Sequence, residues 1–249
     1  RLEMLQVARL APKILGDSVE PIGSFLLSQQ HPEVGFKDRE GNPDLYYTVF
    51  GLDGLIALRL RLPIEPVTRY LRSFGDGGEL DLVHRCCLAR SWAAVESLDP
   101  SCQEPWARQA IPHLERFRSE DGGYHPKPGS RSGTAYGAFL ALGAYEDARQ
   151  PLPAPERLAA SLHELTTPDG AWTNERVGPV VSRDLAGCQL AGATNATVAA
   201  VLVLRHLSQP VPSGVGDWLL RQFCPQGGFR ASPATPMPDL LSTATALHA

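Results

Sequence analysis

Residues 121–142 read DGGYHPKPGSRSGTAYGAFLAL, which joins a glycine turn, a polar loop and a run of small apolar residues. Two glycines after an aspartate are typical of a tight turn, because glycine adopts positive φ angles without steric cost. The run that follows is apolar on more than one face, which predicts a helix packed between close neighbours. A chain that repeats this order of turn and helix is expected to be built from stacked helical pairs.

Glycine turns of this kind occur five times along the chain. They end at Phe36, Glu79, Tyr124, Trp172 and Phe229, so that successive copies end 43, 45, 48 and 57 positions apart. This loose period lies in the range of helical-pair repeats, in which each unit buries its apolar face against the next. We therefore expect five repeats, each with one helix before the turn and one after it.

The helical segments on the two sides of a turn differ in character. A segment before a turn, such as EPVTRYLRSF at residues 65–74, has apolar residues near i, i+3, i+4 and i+7 and predicts an outer helix with one face in water. A segment after a turn, such as DLYYTVFGLDGLIAL at residues 44–58, is apolar on several faces and predicts an inner helix. Strand patterns are weak, so the sequence predicts an all-α fold. The expected N-caps of inner helices are Asp44, Asp81, Ser132 and Asp239.

Two segments interrupt this regular order. Pro112 lies inside the third outer segment, residues 104–119, where it is expected to kink the helix or to restart it. Residues 174–192 form the longest irregular stretch of the chain, and a loop of that length is typical of a lid or an insertion.

Composition and charge narrow the class of protein. The 249 residues are 43% hydrophobic and carry a net charge of -4, with 23 Lys and Arg against 27 Asp and Glu. A globular chain with a sizeable core is expected, and the acidic balance argues against nucleic acid as a partner. The sequence shows no apolar run long enough for a transmembrane segment and no signal-peptide pattern. Five cysteines without a disulfide or zinc spacing favour a reducing, cytoplasmic location.

Two stretches carry a resemblance to a known family. DLYYTVFGLDGL at residues 44–55 resembles the inner-helix signature of protein prenyltransferase β subunits, and GGFRASPATPMPDLLSTATALHA at residues 227–249 is the second match. With the repeated turns, they make the chain similar to the prenyltransferase and squalene-oxidase repeat family, which also includes terpene cyclases. The resemblance covers residues 19–249 and implies an α/α toroid of five to six helical hairpins, with inner and outer rings around an apolar cavity. It further implies one domain over residues 1–249, incomplete at its C-terminus.

The resemblance also implies a zinc site in the prenyltransferase branch, formed by an Asp, a Cys two residues later and a His on another inner helix. The sequence departs from that pattern, and Tyr47 stands where the His would fall. The Asp-x-Asp-Asp sequence of triterpene cyclases does not occur either. We therefore expect no cofactor from these residues, and zinc only with ligands from beyond Ala249. The residues two positions after Asp44, Asp81 and Asp239 are Tyr46, Val83 and Leu241.

Asp81 and His84 are the remaining candidates for a metal site. They lie three residues apart and share a helix face, whereas Cys86 and Cys87 project in other directions from the same helix. The other interpretation makes Asp81 an N-cap beside a packed His84. That interpretation is favoured, because one helix offers at most two of these ligands.

Ligand-binding candidates follow from the cavity that the resemblance implies. Aromatic residues on inner helices either line that cavity, where an isoprenoid would bury apolar surface, or belong to the core. The resemblance also implies that His, Arg, Lys and Tyr side chains meet a diphosphate. One repeat supplies all four types, in a loop whose other interpretation is a solvated connection. The cavity-lining candidates are Tyr46, Tyr47, Phe50, Trp92 and Phe139. The diphosphate candidates are His125, Lys127, Arg131 and Tyr136.

Two functions stay open at the level of sequence. The first is a prenyltransferase-like or terpene-cyclase-like protein that acts on an isoprenoid, such as a polyprenyl diphosphate, in a central apolar cavity. The alternative is a noncatalytic toroid that binds a protein or an apolar ligand, or that serves as a subunit of a complex. The family resemblance favours the first function, and the missing zinc and acid motifs favour the second.

Overall fold

The computed structural model of the chain describes residues 8, 10–32, 34–99, 110–176 and 191–249. Within these ranges the secondary structure consists of helices, turns and isolated β-bridges, without a strand of two or more residues. The fold is therefore all-α, as the sequence predicts. None of these helices combines the length and the apolar character needed to cross a membrane. Most of the predicted lid or insertion at residues 174–192, together with Cys102 and Cys188, lies outside the described residues.

The α-helices of the described ranges are α1 Ala11–Leu15, α2 Val19–Ser28, α3 Leu45–Ala57, α4 Ile64–Arg72, α5 Leu82–Leu98, α6 Ala135–Asp147, α7 Pro155–His163, α8 Thr194–His206, α9 Val215–Arg221 and α10 Leu240–His248. Two 3-10 helices span Gly16–Ser18 and Ile111–Phe117. Helices α3, α5, α6, α8 and α10 follow glycine turns and correspond to the predicted inner helices. Helices α2, α4, α7 and α9 precede turns and correspond to predicted outer helices.

The third outer segment differs from the others. Its described part forms a 3-10 helix, Ile111–Phe117, where the sequence pattern indicates an α-helix. Pro112 is the second residue of this 3-10 helix, and Ala110, which directly precedes the helix, is α-helical. The helix type therefore changes beside the proline, whose ring and missing N–H disfavour a continuous α-helix. This change of helix type agrees with the expected kink or restart at the proline. Residues 104–109 of the segment lie outside the described residues.

The chain divides into two compact units, with boundaries inside α6 and inside the 3-10 helix Ile111–Phe117. Unit 1 contains Arg1–Glu115 and Gly143–Pro151, and unit 2 contains Arg116–Leu142 and Leu152–Ala249. In unit 1, α3 packs against α5, while α2 contacts α3 and α4 contacts α5. In unit 2, α8 packs against α10 and also contacts α7. Inner helices therefore contact other inner helices, which explains why their sequences are apolar on more than one face. A single domain over residues 1–249 stays a prediction.

Outer helix α4 illustrates the amphipathic pattern. Val67, Tyr70 and Leu71 are buried, whereas the side chains of Glu65 and Arg69 are 88% and 62% exposed. Burial of apolar side chains of this size stabilises the fold by roughly 1.5–3 kcal/mol each. The exposed pair of Glu65 and Arg69, with an N–O distance of 3.4 Å, adds little to stability because water screens it.

The third glycine turn is held by the carboxylate of Asp121. Its Oδ1 accepts hydrogen bonds from Ser119 Oγ at 2.6 Å and from Gly123 N at 2.9 Å, and its Oδ2 accepts from Gly133 N at 3.0 Å. Gly122 has a φ of 94°, and a Cβ on Gly123 would lie 2.9 Å from the Cα of Gly133. Glycine is therefore required both by the turn and by the close approach of two backbone segments.

A threonine joins three of the turns to the helices that follow them. The N–H groups of Phe36, Trp172 and Phe229 each donate to a threonine hydroxyl, at 2.9, 3.1 and 2.8 Å. Each threonine lies four residues after the position that precedes its inner helix, so one turn of helix brings the hydroxyl back to the glycine turn. The acceptors are Thr48, Thr197 and Thr243.

The second turn has an arginine at the corresponding position. Arg85 lies four residues after Asp81, is fully buried, and donates to the carbonyl oxygens of Gly78 at 3.0 Å and Leu80 at 3.1 Å. The guanidinium therefore holds this turn in place of a threonine. Glu79, which stands where the other turns have an aromatic residue, is exposed.

Three of the four predicted N-caps are confirmed. The carboxylates of Asp44, Asp81 and Asp239 accept hydrogen bonds from the N–H groups of Tyr47, His84 and Ser242, at 3.0, 2.8 and 2.8 Å.

The prediction of Ser132 as an N-cap is wrong. Helix α6 begins at Ala135, and Thr134 Oγ1 accepts the N–H of Gly137 at 2.8 Å. The physical reason is that Gly133 is already bound to Asp121, so the backbone around Ser132 belongs to the turn and the helix starts later.

Candidate functional site

Two aromatic side chains of α3 are exposed, whereas the other residues of this helix are buried or half-buried. Tyr46 is 39% exposed and Phe50 is 56% exposed, and their ring centroids lie 4.8 Å apart in an edge-to-face arrangement. They are four residues apart, so they share one face of the helix. We call Tyr46 and Phe50 the aromatic face. Together the two rings form the exposed apolar surface of this helix.

The other predicted cavity-lining residues lie in different surroundings. Tyr47 is half-buried, with its ring centroid 6.0 Å from that of Tyr46 in unit 1. Trp92 of α5 is only 2% exposed, so it packs in the core of unit 1 and offers little surface to a ligand. Phe139 of α6 is half-buried and belongs to unit 2. The structure therefore brings together Tyr46, Tyr47 and Phe50 on one helix.

A histidine joins the N-terminal ends of α3 and α5. His84 Nδ1 lies 2.8 Å from Asp81 Oδ2, and its Nε2 lies 3.3 Å from Asp44 Oδ2. We call Asp44, Asp81 and His84 the carboxylate–histidine cluster. The predicted pair of Asp81 and His84 is thus in contact, and the structure adds Asp44, which is distant in the sequence.

The electrostatics of this cluster favour a protonated imidazole. Partial burial lowers the pKa of His84, but the hydrogen bonds and charges of Asp81 and Asp44 outweigh burial, and the pKa of His84 is raised. Burial raises the pKa of Asp81, but hydrogen bonds from the N–H and the ring of His84 outweigh this effect and lower it. The charged forms of His84 and Asp81 therefore stabilise one another.

The residues at these helix ends do not fit the zinc donor set that the resemblance implies. Asp44, Asp81 and Asp239 cap helices, and none is followed two residues later by a cysteine. Cys86 and Cys87 are buried, and burial raises the pKa of the Cys87 thiol to about 12, which disfavours the thiolate that binds zinc. Among the described residues, no three His, Cys, Asp or Glu side chains are arranged to hold a metal ion.

An ion pair lies next to the aromatic face, towards the C-terminal end of α3. Arg90 of α5 places Nε 3.1 Å and Nη2 2.9 Å from Asp53 Oδ2. The side chains of Arg90 and Asp53 are 29% and 25% exposed, so the pair is only partly accessible to water. The sequence patterns did not single out this pair. The sequence could have indicated Asp53, because it lies seven residues after Tyr46 and therefore on the same face of the helix.

The predicted diphosphate candidates lie in unit 2 and are not all alike. His125 Nδ1 accepts the N–H of Lys127 at 2.9 Å and lies 2.9 Å from Ser130 Oγ, so this ring organises its own loop. Lys127 and Arg131 are exposed on the loop. Tyr136 is 40% exposed near the start of α6, and its N–H donates to Asn174 Oδ1 at 3.0 Å. The exposed cations of the predicted set are therefore Lys127 and Arg131.

The chain is similar to a known protein family and to a solved structure. The family model described as the prenyltransferase alpha-alpha toroid domain matches residues 13–84, 79–197 and 196–249. Among solved structures, the chain is similar to Candida albicans protein geranylgeranyltransferase-I complexed with GGPP, with a TM-score of 0.67 and 14% sequence identity. That similarity covers 93% of this chain and 76% of the other, and at this identity it concerns the fold alone. No curated protein matches the chain. Because the family model matches nearly the whole sequence, the chain belongs to the prenyltransferase α/α toroid family.

Proposed function

We propose that this chain binds an isoprenoid diphosphate and that the isoprenoid hydrocarbon lies on the aromatic face of α3. The observation that carries the proposal is the exposure of Tyr46 and Phe50 on a helix whose other positions are buried or half-buried. Covering these rings with a hydrocarbon removes apolar surface from water on both partners, at about 25 cal/mol per Å². The edge-to-face packing of the two rings limits their movement, so little rotamer freedom is lost on binding.

Family membership and a structural relative support the choice of ligand. The chain belongs to the prenyltransferase toroid family, and the similar geranylgeranyltransferase-I was solved with GGPP. Lys127 and Arg131, the exposed cations of the predicted set, lie in unit 2 and stay a separate prediction of an anion site, which is tested with its own variant.

Isothermal titration calorimetry of the full chain with farnesyl and geranylgeranyl diphosphate tests the proposal. Replacement of both aromatic residues, Tyr46→Ala with Phe50→Ala, is expected to weaken binding more than tenfold, since the loss of roughly 100 Å² of contact costs about 2.5 kcal/mol. Phe25→Ala on outer helix α2, where the ring is also exposed, is the matched control and is expected to leave the affinity unchanged. Equal effects of the two changes would contradict the assignment.

The double variant Lys127→Ala with Arg131→Ala tests this separate prediction of an anion site in unit 2. Loss of two exposed cations is expected to weaken the binding of prenyl diphosphates several-fold, and more strongly at low ionic strength, where charges are less screened. Binding of the corresponding prenyl alcohols is expected to stay unchanged, because they carry no charge. An equal loss for diphosphates and alcohols would remove the loop from the proposal.

A noncatalytic binding protein is the second candidate function. It is favoured because the residues of this chain do not match the zinc donor set of the prenyltransferases. The aspartates at the starts of α3, α5 and α10 serve as N-caps instead. This candidate predicts that prenyl diphosphates bind without being consumed. The test incubates the full chain with farnesyl diphosphate and a thiol peptide and analyses the products by mass spectrometry. It distinguishes a catalytic protein from a noncatalytic binding protein. Formation of a prenylated peptide or of a cyclised hydrocarbon would overturn the noncatalytic candidate.

A further inference from the structure

The carboxylate–histidine cluster uses both ring nitrogens of one side chain. His84 Nδ1 lies 2.8 Å from Oδ2 of Asp81, the N-cap of α5, and its Nε2 lies 3.3 Å from Oδ2 of Asp44, the N-cap of α3. Both contacts are hydrogen bonds only when both nitrogens carry a hydrogen, because an ionised carboxylate accepts and does not donate. The imidazolium therefore joins the starts of α3 and α5, whereas the neutral ring donates to one carboxylate only.

The hydrogen bond that a neutral ring gives up is the one between the two helices. Asp81 lies three residues from His84 on the same helix and at the shorter distance, whereas Asp44 lies 40 residues away in the sequence. The ring is therefore expected to keep its bond to Asp81. Asp44 still accepts the N–H of Tyr47 at 3.0 Å, so α3 stays capped. Loss of the proton thus releases the start of α3 from α5 without removing its cap.

A change of pH near neutrality acts on this cluster through its histidine. The described charges that act on His84 are those of Asp81 and Asp44. Burial raises the pKa of the nearby Tyr70 and Cys87 to about 12, and it also raises the pKa of Tyr46 above its ordinary value of about 10. These three groups therefore stay protonated where a histidine titrates.

We propose that protonated His84 positions the aromatic face for its ligand by joining the start of α3 to the start of α5. The inference rests on the proposed function, because it concerns the affinity of that face for a hydrocarbon. Tyr46 lies two residues after Asp44 in the first turn of α3, so a fixed helix start holds this ring in place. When the bond to Asp44 is broken, binding has to restrict that turn as well, which lowers the affinity. His84 acts through Asp44 and is a positioning residue.

Calorimetric titration of the full chain with farnesol, at about pH 5.5, 7.0 and 8.5, tests this role. Farnesol carries no group that titrates in this range, so the pH acts on the protein alone. The protonated state is the one that binds more tightly. The affinity is therefore expected to be highest at the lowest pH and to fall about threefold as the pH rises through the pKa of His84.

Two variants assign the effect to the bond between the helices. His84→Gln has no titrating ring, and Asp44→Asn keeps a capping side chain without the carboxylate that accepts from Nε2. Both are expected to lose the dependence on pH and to bind farnesol as the wild-type chain does at about pH 8.5. The matched control is His113→Gln, which removes a histidine whose Nε2 lies 3.0 Å from Asp76 Oδ2 at the second turn. It is expected to keep the wild-type dependence.

Histidine NMR measures the same coupling from the side of the proton. If the protonated chain binds farnesol about threefold more tightly, saturation with farnesol raises the pKa of His84 by about 0.5, because the coupling between two binding events is reciprocal. The signal of His84 is assigned by comparison with either variant. This measurement decides when only one of the two variants folds. An unchanged pKa of His84 on binding would overturn the positioning role.

The outcomes separate the inference from the proposed function. If the wild-type chain binds neither farnesol nor farnesyl diphosphate at any of the three pH values, the proposed function fails and the positioning role fails with it. If farnesol binds equally at all three, or if His84→Gln keeps the wild-type dependence, the positioning role alone is overturned. Should only the diphosphate bind, the ratio of wild-type to His84→Gln affinity at each pH decides, since the titration of the ligand cancels in that ratio.

Discussion

At the scale of single residues, Thr48 makes two hydrogen bonds with one hydroxyl group. Its Oγ1 accepts the N–H of Phe36 at 2.9 Å and donates to the carbonyl oxygen of Asp44 at 2.7 Å. Thr48 is fully buried, so water cannot replace either partner. The residue therefore connects the first glycine turn to the first turn of α3.

Replacement of Thr48 by valine keeps the shape of the side chain and removes the hydroxyl. Because the Phe36 N–H would lose its buried acceptor, we expect Thr48→Val to lower the free energy of unfolding by about 1–3 kcal/mol. Urea denaturation followed by circular dichroism measures this change. The control is Thr166→Val, whose exposed hydroxyl donates to the His163 carbonyl oxygen, with an expected change below about 0.5 kcal/mol. Similar losses in the two variants would contradict the role of Thr48.

His84 makes stability depend on pH at the same scale. Asp81 and Asp44 raise its pKa in the folded chain above the ordinary value, against the effect of burial. A raised folded-state pKa stabilises the protein fully below the unfolded value of about 6.5, and this contribution is lost as the pH rises through the folded-state pKa. The side chain is partly exposed, so the contribution is no more than about 1 kcal/mol.

The variant His84→Gln removes this titration. We expect it to be less stable than the wild-type chain at about pH 6 and to approach the wild-type stability at about pH 9, because the imidazolium then no longer contributes. Urea denaturation at the two pH values measures the difference. A difference that grows with pH in His84→Gln would contradict the cluster.

At the scale of helices, close packing explains a glycine that helical propensity alone disfavours. Gly51 lies in the interior of α3, where a Cβ would lie 2.4 Å from Cδ1 of Phe36, the aromatic residue of the first turn. Phe36 is buried, so its ring cannot move into water. Gly51 therefore allows the turn to pack directly on the helix backbone.

Alanine at Gly51 is expected to lower the free energy of unfolding by about 1–3 kcal/mol, because the ring of Phe36 must shift in a packed core. Alanine at Gly143 of α6 is the matched control, since a Cβ there meets no atom within 4 Å. Gly143→Ala is expected to stabilise the chain by about 0.5–1 kcal/mol through helix propensity. Thermal unfolding of both variants measures the contrast, and a stable Gly51→Ala variant would contradict the packing.

The helices also show why some local predictions succeed. The caps Asp44, Asp81 and Asp239 are confirmed because a cap depends on residues within one turn of itself. The same rule predicts Ser132, yet the distant carboxylate of Asp121 binds Gly133 and delays the start of α6. A contact from outside the local window therefore decides this boundary.

At the scale of the whole molecule, ligand binding is expected to raise the thermal stability of the chain. A ligand at a hundredfold excess over its Kd stabilises the native state by about 2.7 kcal/mol, and each kcal/mol raises Tm by roughly 2–4 °C in a chain of this size. We therefore expect farnesyl diphosphate to raise Tm by several degrees, as measured by differential scanning calorimetry. Inorganic pyrophosphate, which lacks the hydrocarbon, is expected to give a smaller shift. Equal shifts for the two compounds would contradict binding at the aromatic face.

The family and the fold class can be recognised from the amino-acid sequence. Five glycine turns with alternating amphipathic and apolar segments indicate a helical-pair repeat, and the family model confirms it over nearly the whole chain. The third outer segment is the exception, because its described part is a 3-10 helix that begins beside Pro112. The candidate site is predicted only in part, since the sequence pattern indicates Tyr46, Tyr47 and Phe50 but neither Asp53 nor Arg90.

The sequence alone determined the repeat, the alternation of helices, three of the helix caps and the aromatic residues of α3. These features depend on periodicity and on neighbours within a few positions, which local physical chemistry controls. Only the tertiary structure decided which distant residues meet. His84 contacts Asp44, Arg90 contacts Asp53 and Thr48 contacts Phe36 because α5 packs on α3 and the first turn packs on α3. The register of these contacts is set by side-chain packing between elements, and no local pattern encodes that packing.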